Sequence, residues 1–85
     1  MSTKNIRLST ELPEHNPHTF RAEIGESIRK IRESRGLTQE QLGEKMNISR
    51  STISKIESGK FNLSIDYLSR FADSLNFYII LKEGH

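Results

Sequence analysis

The residues with the clearest chemical potential lie in the segment SRSTISKIESGK, positions 49 to 60. In a helix each residue advances by about 100°, so Ile53 and Ile56 share one apolar side. The opposite side is small, hydroxylated and basic, with Ser51, Ser54, Lys55 and Ser58 at its centre and Arg50 and Thr52 on its flanks. Arg and Lys can donate to guanine O6 and N7, and Ser and Thr reach bases or phosphates. This face fits the major groove of DNA, although the same residue types are ordinary on a solvated helix.

Catalysis and metal binding have no comparable pattern. His15 and His18 lie three residues apart, but the chain has no cysteine and its third histidine is His85. A metal site would need Asp or Glu ligands, and no spacing of these residues favours one. The serines lack a base partner, and no glycine-rich phosphate loop occurs. We therefore expect no enzyme activity, no metal and no cofactor.

Length and composition are those of one small domain. A chain of 85 residues buries only about 60 to 65% of its unfolded surface, so an oligomer would relieve its marginal stability. The 13 Lys and Arg against 11 Asp and Glu permit nucleic-acid binding without requiring it. No apolar run approaches the roughly 18 to 20 residues of a membrane span, and the N-terminus lacks a signal-peptide core. Together with the lack of cysteine, these features predict a cytoplasmic protein with no membrane partner.

Two longer helices are predicted at the ends of the helical region. Asn16 followed by Pro17 is typical of a helix start, and Gly36 supplies the stop. Between them runs an apolar stripe of Phe20, Ile24, Ile28 and Ile31. The last helix is capped by Ser64 and carries a second stripe of Leu68, Phe71, Ala72 and Leu75. Both helices are therefore amphipathic.

Two short helices are predicted between them. Thr38 and Gln41 form a capping-box pattern, and Asn47 tolerates the left-handed conformation that ends a helix. Ser49 caps the next helix, which Gly59 stops. The basic, hydroxylated face therefore lies on the second of two short helices joined by a tight turn.

These residues carry a resemblance to a known family. The segments IGESIRKIRESRGLTQEQLGEKMNISRSTISKIESGK and SIDYLSRFADSL, within residues 24 to 75, closely resemble the helix-turn-helix domains of the XRE family, which includes phage Cro and repressor proteins. Their most specific parts are LTQ and SRSTISKIESGK. The resemblance implies a lambda-repressor-like bundle that binds double-stranded DNA.

The resemblance also implies roles for individual residues. Gln39, at a helix N-terminus, corresponds to a phosphate contact. The positions that read base edges or nearby backbone correspond to Arg50, Ser51, Thr52 and Lys55, with Ser54 on the same outward face. Ser58 and Lys60 match positions that usually meet phosphate. Arg32 and Glu57 match a pair of residues that form an internal, structural ion pair in several members.

The end of the chain, LNFYIILKEGH, has strand composition. We predict a strand there with the dimerisation residues Phe77, Tyr78, Ile79, Ile80 and Leu81. It could pair antiparallel with its copy across a two-fold axis, or within the chain with NIRLSTEL, and the two arrangements could coexist in a four-stranded sheet. We favour the pairing between subunits.

The predicted fold is all-α with one short β-strand. Residues 1–16 are expected to be a flexible tail with weak strand potential, residues 17–76 the helix-turn-helix domain, and residues 77–85 the dimerisation strand. A homodimer would place two recognition helices about 34 Å apart, matching a palindromic operator.

The architecture further resembles the HipB-like antitoxins of the same family, which repress their own operon and bind a cognate toxin. It thus implies an antitoxin repressor with a toxin as a further partner. The alternatives are a phage-type repressor, a restriction-modification controller, or an adaptor that keeps the fold without using DNA. Salt-dependent retention on DNA would separate the adaptor from the others.

Overall fold

The computed structural model describes the backbone of residues 4–9 and 16–83, in which four helices lie between two strands. In chain order these are β1 Lys4–Ser9, α1 Pro17–Ser34, α2 Gln39–Met46, α3 Arg50–Glu57, α4 Ile65–Leu75 and β2 Phe77–Lys82. The predicted helical bundle and its C-terminal strand are confirmed.

All four helices begin at the predicted caps. The N-cap residues are Asn16, Thr38, Ser49 and Ser64. At the start of α2 the Gln41 backbone N–H donates to Thr38 Oγ1 at 3.0 Å, and the Thr38 backbone N–H donates to Gln41 Oε1 at 2.8 Å. This reciprocal pair satisfies two N–H groups that a helix start otherwise leaves free.

Left-handed residues end the helices. Asn47 has a φ of 59° and makes the turn between α2 and α3, as predicted. Asn76 has a φ of 58° and turns α4 directly into β2. Arg35 holds this second turn from the end of α1, donating from Nε to the Leu75 carbonyl oxygen at 2.8 Å and from Nη2 to that of Asn76 at 2.9 Å.

The core lies where the helices meet. Each helix contributes one side chain with no exposed surface: Ile28, Leu42, Ile53 and Phe71. Ile31 of the α1 stripe and Leu75 of the α4 stripe are also buried, with 3% and 1% of their surface exposed. Ile24 is only partly buried and packs against the edge of the core. The predicted apolar sides of the helices therefore face inward.

The structure differs from the prediction at the N-terminal segment. Lys4–Ser9 is a strand, not part of a flexible tail, and it pairs in parallel with β2 in a register from Lys4 opposite Phe77 to Ser9 opposite Lys82. Its backbone gains hydrogen-bond partners that a tail would lack, and this outweighs the polar composition and the two prolines, Pro13 and Pro17, that favoured a tail. Residues 1–3 and 10–15 of the predicted tail, and residues 84 and 85 of the predicted terminal segment, lie outside the described residues.

The sheet also changes which of the predicted dimerisation residues a partner could contact. Phe77 is only 5% exposed and belongs to the core, so its side chain is not available to a partner. Tyr78, Ile79, Ile80 and Leu81 are exposed. The pairing within the chain, the alternative that we did not favour, is present on one edge of β2. The pairing between subunits stays a prediction for the other edge.

Candidate nucleic-acid interface

The turn between α2 and α3 is held tightly by the backbone. The Ile48 N–H donates to the Gly43 carbonyl oxygen at 2.8 Å. A Cβ at Gly43 would lie 2.7 Å from the Ile48 carbonyl oxygen, so only glycine fits this approach without a shift. The two short helices are thus fixed relative to each other.

α3 presents the predicted face to solvent. Ile53, Ile56 and Glu57 are buried on its inner side. Exposed side chains are those of Arg50, Ser51, Lys55, Ser58 and Lys60, and partly exposed ones are those of Gln39, Thr52 and Ser54. All eight residues predicted to contact DNA therefore have surface available. None of them is a large apolar residue, so close approach to a polar groove is unhindered.

This surface carries positive charges on α3 and in the following loop, and negative charges on α2. Arg50, Lys55 and Lys60 are exposed, and no ion pair neutralises any of them in the described part of the chain. Glu40 and Glu44 are exposed on α2 and, with Arg50, line the depression beside the turn. On this surface the unpaired positive charges of Arg50, Lys55 and Lys60 thus lie on α3 and in the following loop, where they would attract a phosphate backbone.

The hydroxyl groups of Thr52 and Ser58, among those predicted to contact DNA, are already engaged within the chain. Ser49 Oγ accepts from the Thr52 backbone N–H at 3.1 Å and lies 2.8 Å from Thr52 Oγ1. Ser58 Oγ donates to the Lys55 carbonyl oxygen at 3.1 Å. Thr52 is thus oriented by the helix cap, while Ser51 and Ser54 have no such partner among the described residues.

Arg32 and Glu57 lie together beneath the interface. Arg32 Nε donates to Glu57 Oε2 at 2.6 Å, and Arg32 Nη2 donates to Glu57 Oε1 at 3.1 Å. The Arg32 and Glu57 side chains are 9% and 3% exposed. Arg32 Nη1 also donates to the Leu37 carbonyl oxygen, at 2.6 Å. This bidentate pair joins α1 to α3 and to the start of the α2 segment.

Gln39 connects this buried pair to the surface. Its Nε2 donates to Glu57 Oε1 at 3.0 Å, and its Oε1 accepts from Arg50 Nη1 at 3.2 Å. A carboxylate can only accept and a guanidinium can only donate, so the amide orientation is determined by its partners. The side chain that the resemblance assigns to phosphate thus holds Arg50, and the free backbone N–H groups at the start of α2 remain for an anion.

Arg70 is a further supporting residue that the sequence did not indicate. Its Nη2 donates to the Met46 carbonyl oxygen at 2.9 Å, closing the end of α2 from α4. The same guanidinium lies over the Tyr67 ring, with Cζ 5.2 Å from the ring centroid. Neither the spacing nor the composition of the sequence signals a contact that depends on the packing of α4 against α2.

The histidines do not form a site in the described residues. His18 is exposed in the first turn of α1, and His15 and His85 lie outside the described residues. Across the described positions there is no group of three or more His, Cys, Asp or Glu side chains able to hold a metal ion. Among the described helices, none has the length and apolar character to cross a membrane.

Comparison with known proteins supports the interpretation of this geometry. A family model described as Helix-turn-helix (HTH_3) matches residues 28–79. The immunity repressor protein of Bacillus phage phi105 is 41% identical over 56 residues, which cover 66% of this chain. The match spans only 39% of that repressor.

Solved structures share the same arrangement. The restriction-modification controller protein C.AhdI from Aeromonas hydrophila superposes with a TM-score of 0.65 at 27% identity, over 69% of this chain and 89% of that protein. The wild-type restriction-modification controller protein C.Esp1396I superposes with a TM-score of 0.63 at 34% identity, over 75% and 78% of the two chains.

Proposed function

This chain belongs to the HTH_3 (XRE) family of helix-turn-helix regulators, and on that premise we propose that it is a sequence-specific DNA-binding repressor. The observation that carries the proposal is the outer face of α3. It is basic and hydroxylated and has no large apolar side chain. Beneath it, the buried ion pair between Arg32 and Glu57 joins α3 to α1. Such a face can enter the major groove and approach the edges of the bases.

The residues divide into two roles in this proposal. Base edges are read from the start and middle of α3, by Arg50, Ser51, Thr52, Ser54 and Lys55. Phosphates are held by Ser58 and Lys60 and by the N-terminus of α2 at Gln39. Lys60 follows Gly59, whose φ of 79° turns the chain out of α3. The Lys60 backbone N–H donates to the Lys55 carbonyl oxygen at 2.8 Å, which fixes the start of that loop.

The experiment is competition binding between specific and scrambled duplexes at fixed salt. Arg50→Ala and Lys55→Ala are each expected to cost about 1 to 3 kcal/mol on the specific site and much less on scrambled DNA. Lys30→Ala is the matched control, because Lys30 is an exposed lysine on α1 with a side chain 70% exposed. Equal losses on both duplexes for Arg50→Ala and Lys55→Ala would refute the base-reading roles.

The proposal includes a homodimer on a palindromic operator. One α3 covers only a few base pairs, whereas two copies related by a two-fold axis would read two half-sites one helical turn apart. The exposed strand β2 supplies a surface for that association. Loss of binding when one half-site is scrambled is the expected result.

The antitoxin role is the finer part of the proposal. A toxin must bind away from α3 if the complex is to keep its DNA surface. An apolar pocket of about 200 Å³ between the start of α1 and the α3–α4 loop, lined by Phe20, Ile24 and Phe61 among others, offers such a place. It supports α1 as the toxin-binding element.

Coexpression tests this role. If the product of the adjacent reading frame arrests growth and this chain relieves the arrest in a stable complex, the antitoxin role holds. A harmless neighbour with no complex would leave the plain repressor, of the phage or restriction-modification controller type. Absence of salt-dependent DNA retention would instead favour an adaptor.

A further inference from the structure

A single residue joins the helices to the sheet. α4 ends at Leu75 and β2 begins at Phe77, so Asn76 alone forms the junction, with a left-handed φ of 58° and a ψ of 67°. The direction in which β2 leaves the helices therefore depends on the two dihedral angles of one residue. These angles rotate the peptide plane that contains the Leu75 carbonyl against the plane that contains the Asn76 carbonyl.

Arg35 holds both of these peptide planes. Its Nε donates to the Leu75 carbonyl oxygen at 2.8 Å, and its Nη2 donates to the Asn76 carbonyl oxygen at 2.9 Å. A guanidinium is a rigid plane whose donors form a fixed fork, so the two carbonyl groups cannot turn independently while both are bound. One side chain thus restrains both dihedral angles of the junction.

Arg35 is itself fixed to the helix that contacts α3. Its backbone N–H donates to the carbonyl oxygens of Ile31 and Arg32, at 3.0 and 3.1 Å, at the end of α1. One turn earlier, Arg32 forms the buried ion pair with Glu57 of α3, with 2.6 Å between Nε and Oε2. A continuous set of contacts therefore runs from α3 through the end of α1 to the start of β2.

The length of β2 magnifies any rotation at the junction. Among the β2 residues whose exposure the structure describes, Phe77 alone is buried. The six residues of β2 span about 20 Å at about 3.3 Å per residue, so a rotation of about 10° at Asn76 moves the far end by about 3 Å. This displacement is close to the rise of one base pair, about 3.4 Å. The angle at Asn76 therefore matters for the distance between two DNA-binding faces.

We propose that Arg35 is the positioning residue that sets the direction of β2 relative to α3 and, in the dimer, the distance between the two copies of α3. The inference rests on the proposed homodimer and deepens it, because it names the residue that selects the spacing of the two half-sites. It does not depend on which residues of the two strands are paired.

A distance measurement between spin labels tests the inference, and the chain has no native cysteine to interfere. Lys30→Cys carries one nitroxide label per copy on α1, where the lysine side chain is 70% exposed. Pulsed electron-spin resonance then gives the distance between the two labels of a dimer. A narrow distribution is expected when Arg35 is present. Arg35→Ala is expected to stay dimeric and to broaden the distribution by several ångströms.

Arg70→Ala is the matched control. Arg70 also donates to a carbonyl oxygen at a helix end, that of Met46 at 2.9 Å, but it joins α4 to α2 within the helical domain. This variant should lower the unfolding temperature and keep the narrow distribution. If Arg35→Ala does not fold, Arg35→Lys replaces it, because lysine keeps the charge but lacks the planar fork.

Two outcomes of the distance measurement overturn the inference and keep the homodimer. One is a distribution as narrow without the Arg35 fork as with it, and the other is equal broadening in Arg70→Ala, which would show a general loosening of the fold. A monomeric wild type overturns both the inference and the homodimer.

Operator spacing gives the second readout. The duplex that the wild type selects from a random pool is remade with one base pair added or removed between the half-sites. The wild type is expected to bind the selected spacing at least about tenfold more tightly than either altered one, whereas Arg35→Ala should bind all three within about threefold. An unchanged spacing preference in Arg35→Ala overturns the inference. A wild type without any sequence preference refutes the repressor, and the label distances then decide the role of Arg35.

Discussion

Glu57 is the residue at which the core and the exposed face of α3 are connected. Its carboxylate accepts from two nitrogens of Arg32 and from Gln39, which in turn accepts from Arg50. A buried carboxylate needs such partners, because an unpaired charge away from water is costly. The ion pair therefore supports the fold and, through the Gln39 amide, Arg50, the first residue of α3.

Removing the arginine of this pair is expected to be strongly destabilising. Arg32→Ala would leave the Glu57 side chain, only 3% exposed, without its main partner, at a cost of about 3 to 5 kcal/mol. Urea unfolding measures this loss. Arg29→Ala is the control, since Arg29 pairs with Glu26 at 2.6 Å on the exposed side of α1 and lowers the pKa of that carboxyl by a hydrogen bond. A small loss for Arg32→Ala, similar to that of Arg29→Ala, would contradict the account.

Gln39 is expected to act through Arg50. If the amide holds the guanidinium for base contact, Gln39→Ala and Arg50→Ala should be coupled in binding to the specific site, by about 0.5 to 3 kcal/mol in a double-mutant cycle. The cycle is measured by fluorescence anisotropy on one duplex at one salt concentration. Additive losses would show that Gln39 contributes independently.

The sequence indicated which residues belong to this network, but not that Gln39 joins the buried ion pair to Arg50. The resemblance pairs Arg32 with Glu57 and assigns Gln39 to phosphate, each separately. That Gln39 reaches both Glu57 and Arg50 depends on the angle between α2 and α3, which no local pattern encodes.

At the scale of elements, α1 and α3 approach closely at Gly25. A Cβ on this residue would lie 2.7 Å from the Glu57 carbonyl oxygen and still closer to that of Ile56. Gly25→Ala is therefore expected to destabilise the fold by about 1 to 3 kcal/mol, although alanine favours helix. Thermal and urea unfolding measure the change.

Gly36→Ala provides the comparison for that variant. A Cβ at Gly36 meets nothing within 4 Å, but the φ of 73° is left-handed. Gly36→Ala should lower the free energy of unfolding by about 1 to 2 kcal/mol, through backbone strain alone. A Gly25→Ala protein as stable as the wild type would show that α1 and α3 can separate freely.

Helix limits were predictable because caps and stops are local. Asn16, Thr38, Ser49 and Ser64 each bind a backbone N–H three residues later, so the signal and its effect lie in the same turn. The strand β1 was not predictable in this way. Its partner lies more than 70 residues away in the register Lys4 to Phe77, and the weak alternation of Ile6 and Leu8 cannot specify a parallel neighbour.

At the scale of the whole molecule, the helical domain ends at Phe77, and the exposed part of β2 follows it. Phe77 is 5% exposed and packs in the helical core, so the separable segment begins at Tyr78. Deletion of residues 78–85 should leave the four helices folded and the protein monomeric, because it removes the exposed part of the sheet. Circular dichroism and sedimentation measure the two effects. A truncated chain that remains dimeric would move the interface to the helices.

Deletion of residues 77–85 is the informative comparison. It also removes a core side chain, and it should therefore lose more stability than the shorter deletion while reaching the same monomeric state. Equal stability of the two truncations would contradict the role of Phe77 in the core.

Selection from a pool of random duplexes tests the central claim most directly, that α3 reads DNA sequence. The wild-type protein is expected to enrich an inverted repeat whose half-site centres are about 10 base pairs apart, with affinity that falls steeply as salt rises. Arg50→Ala should lose or change the enriched bases within each half-site. A wild-type pool that remains random after repeated selection, or DNA retention that does not depend on salt, would contradict the account.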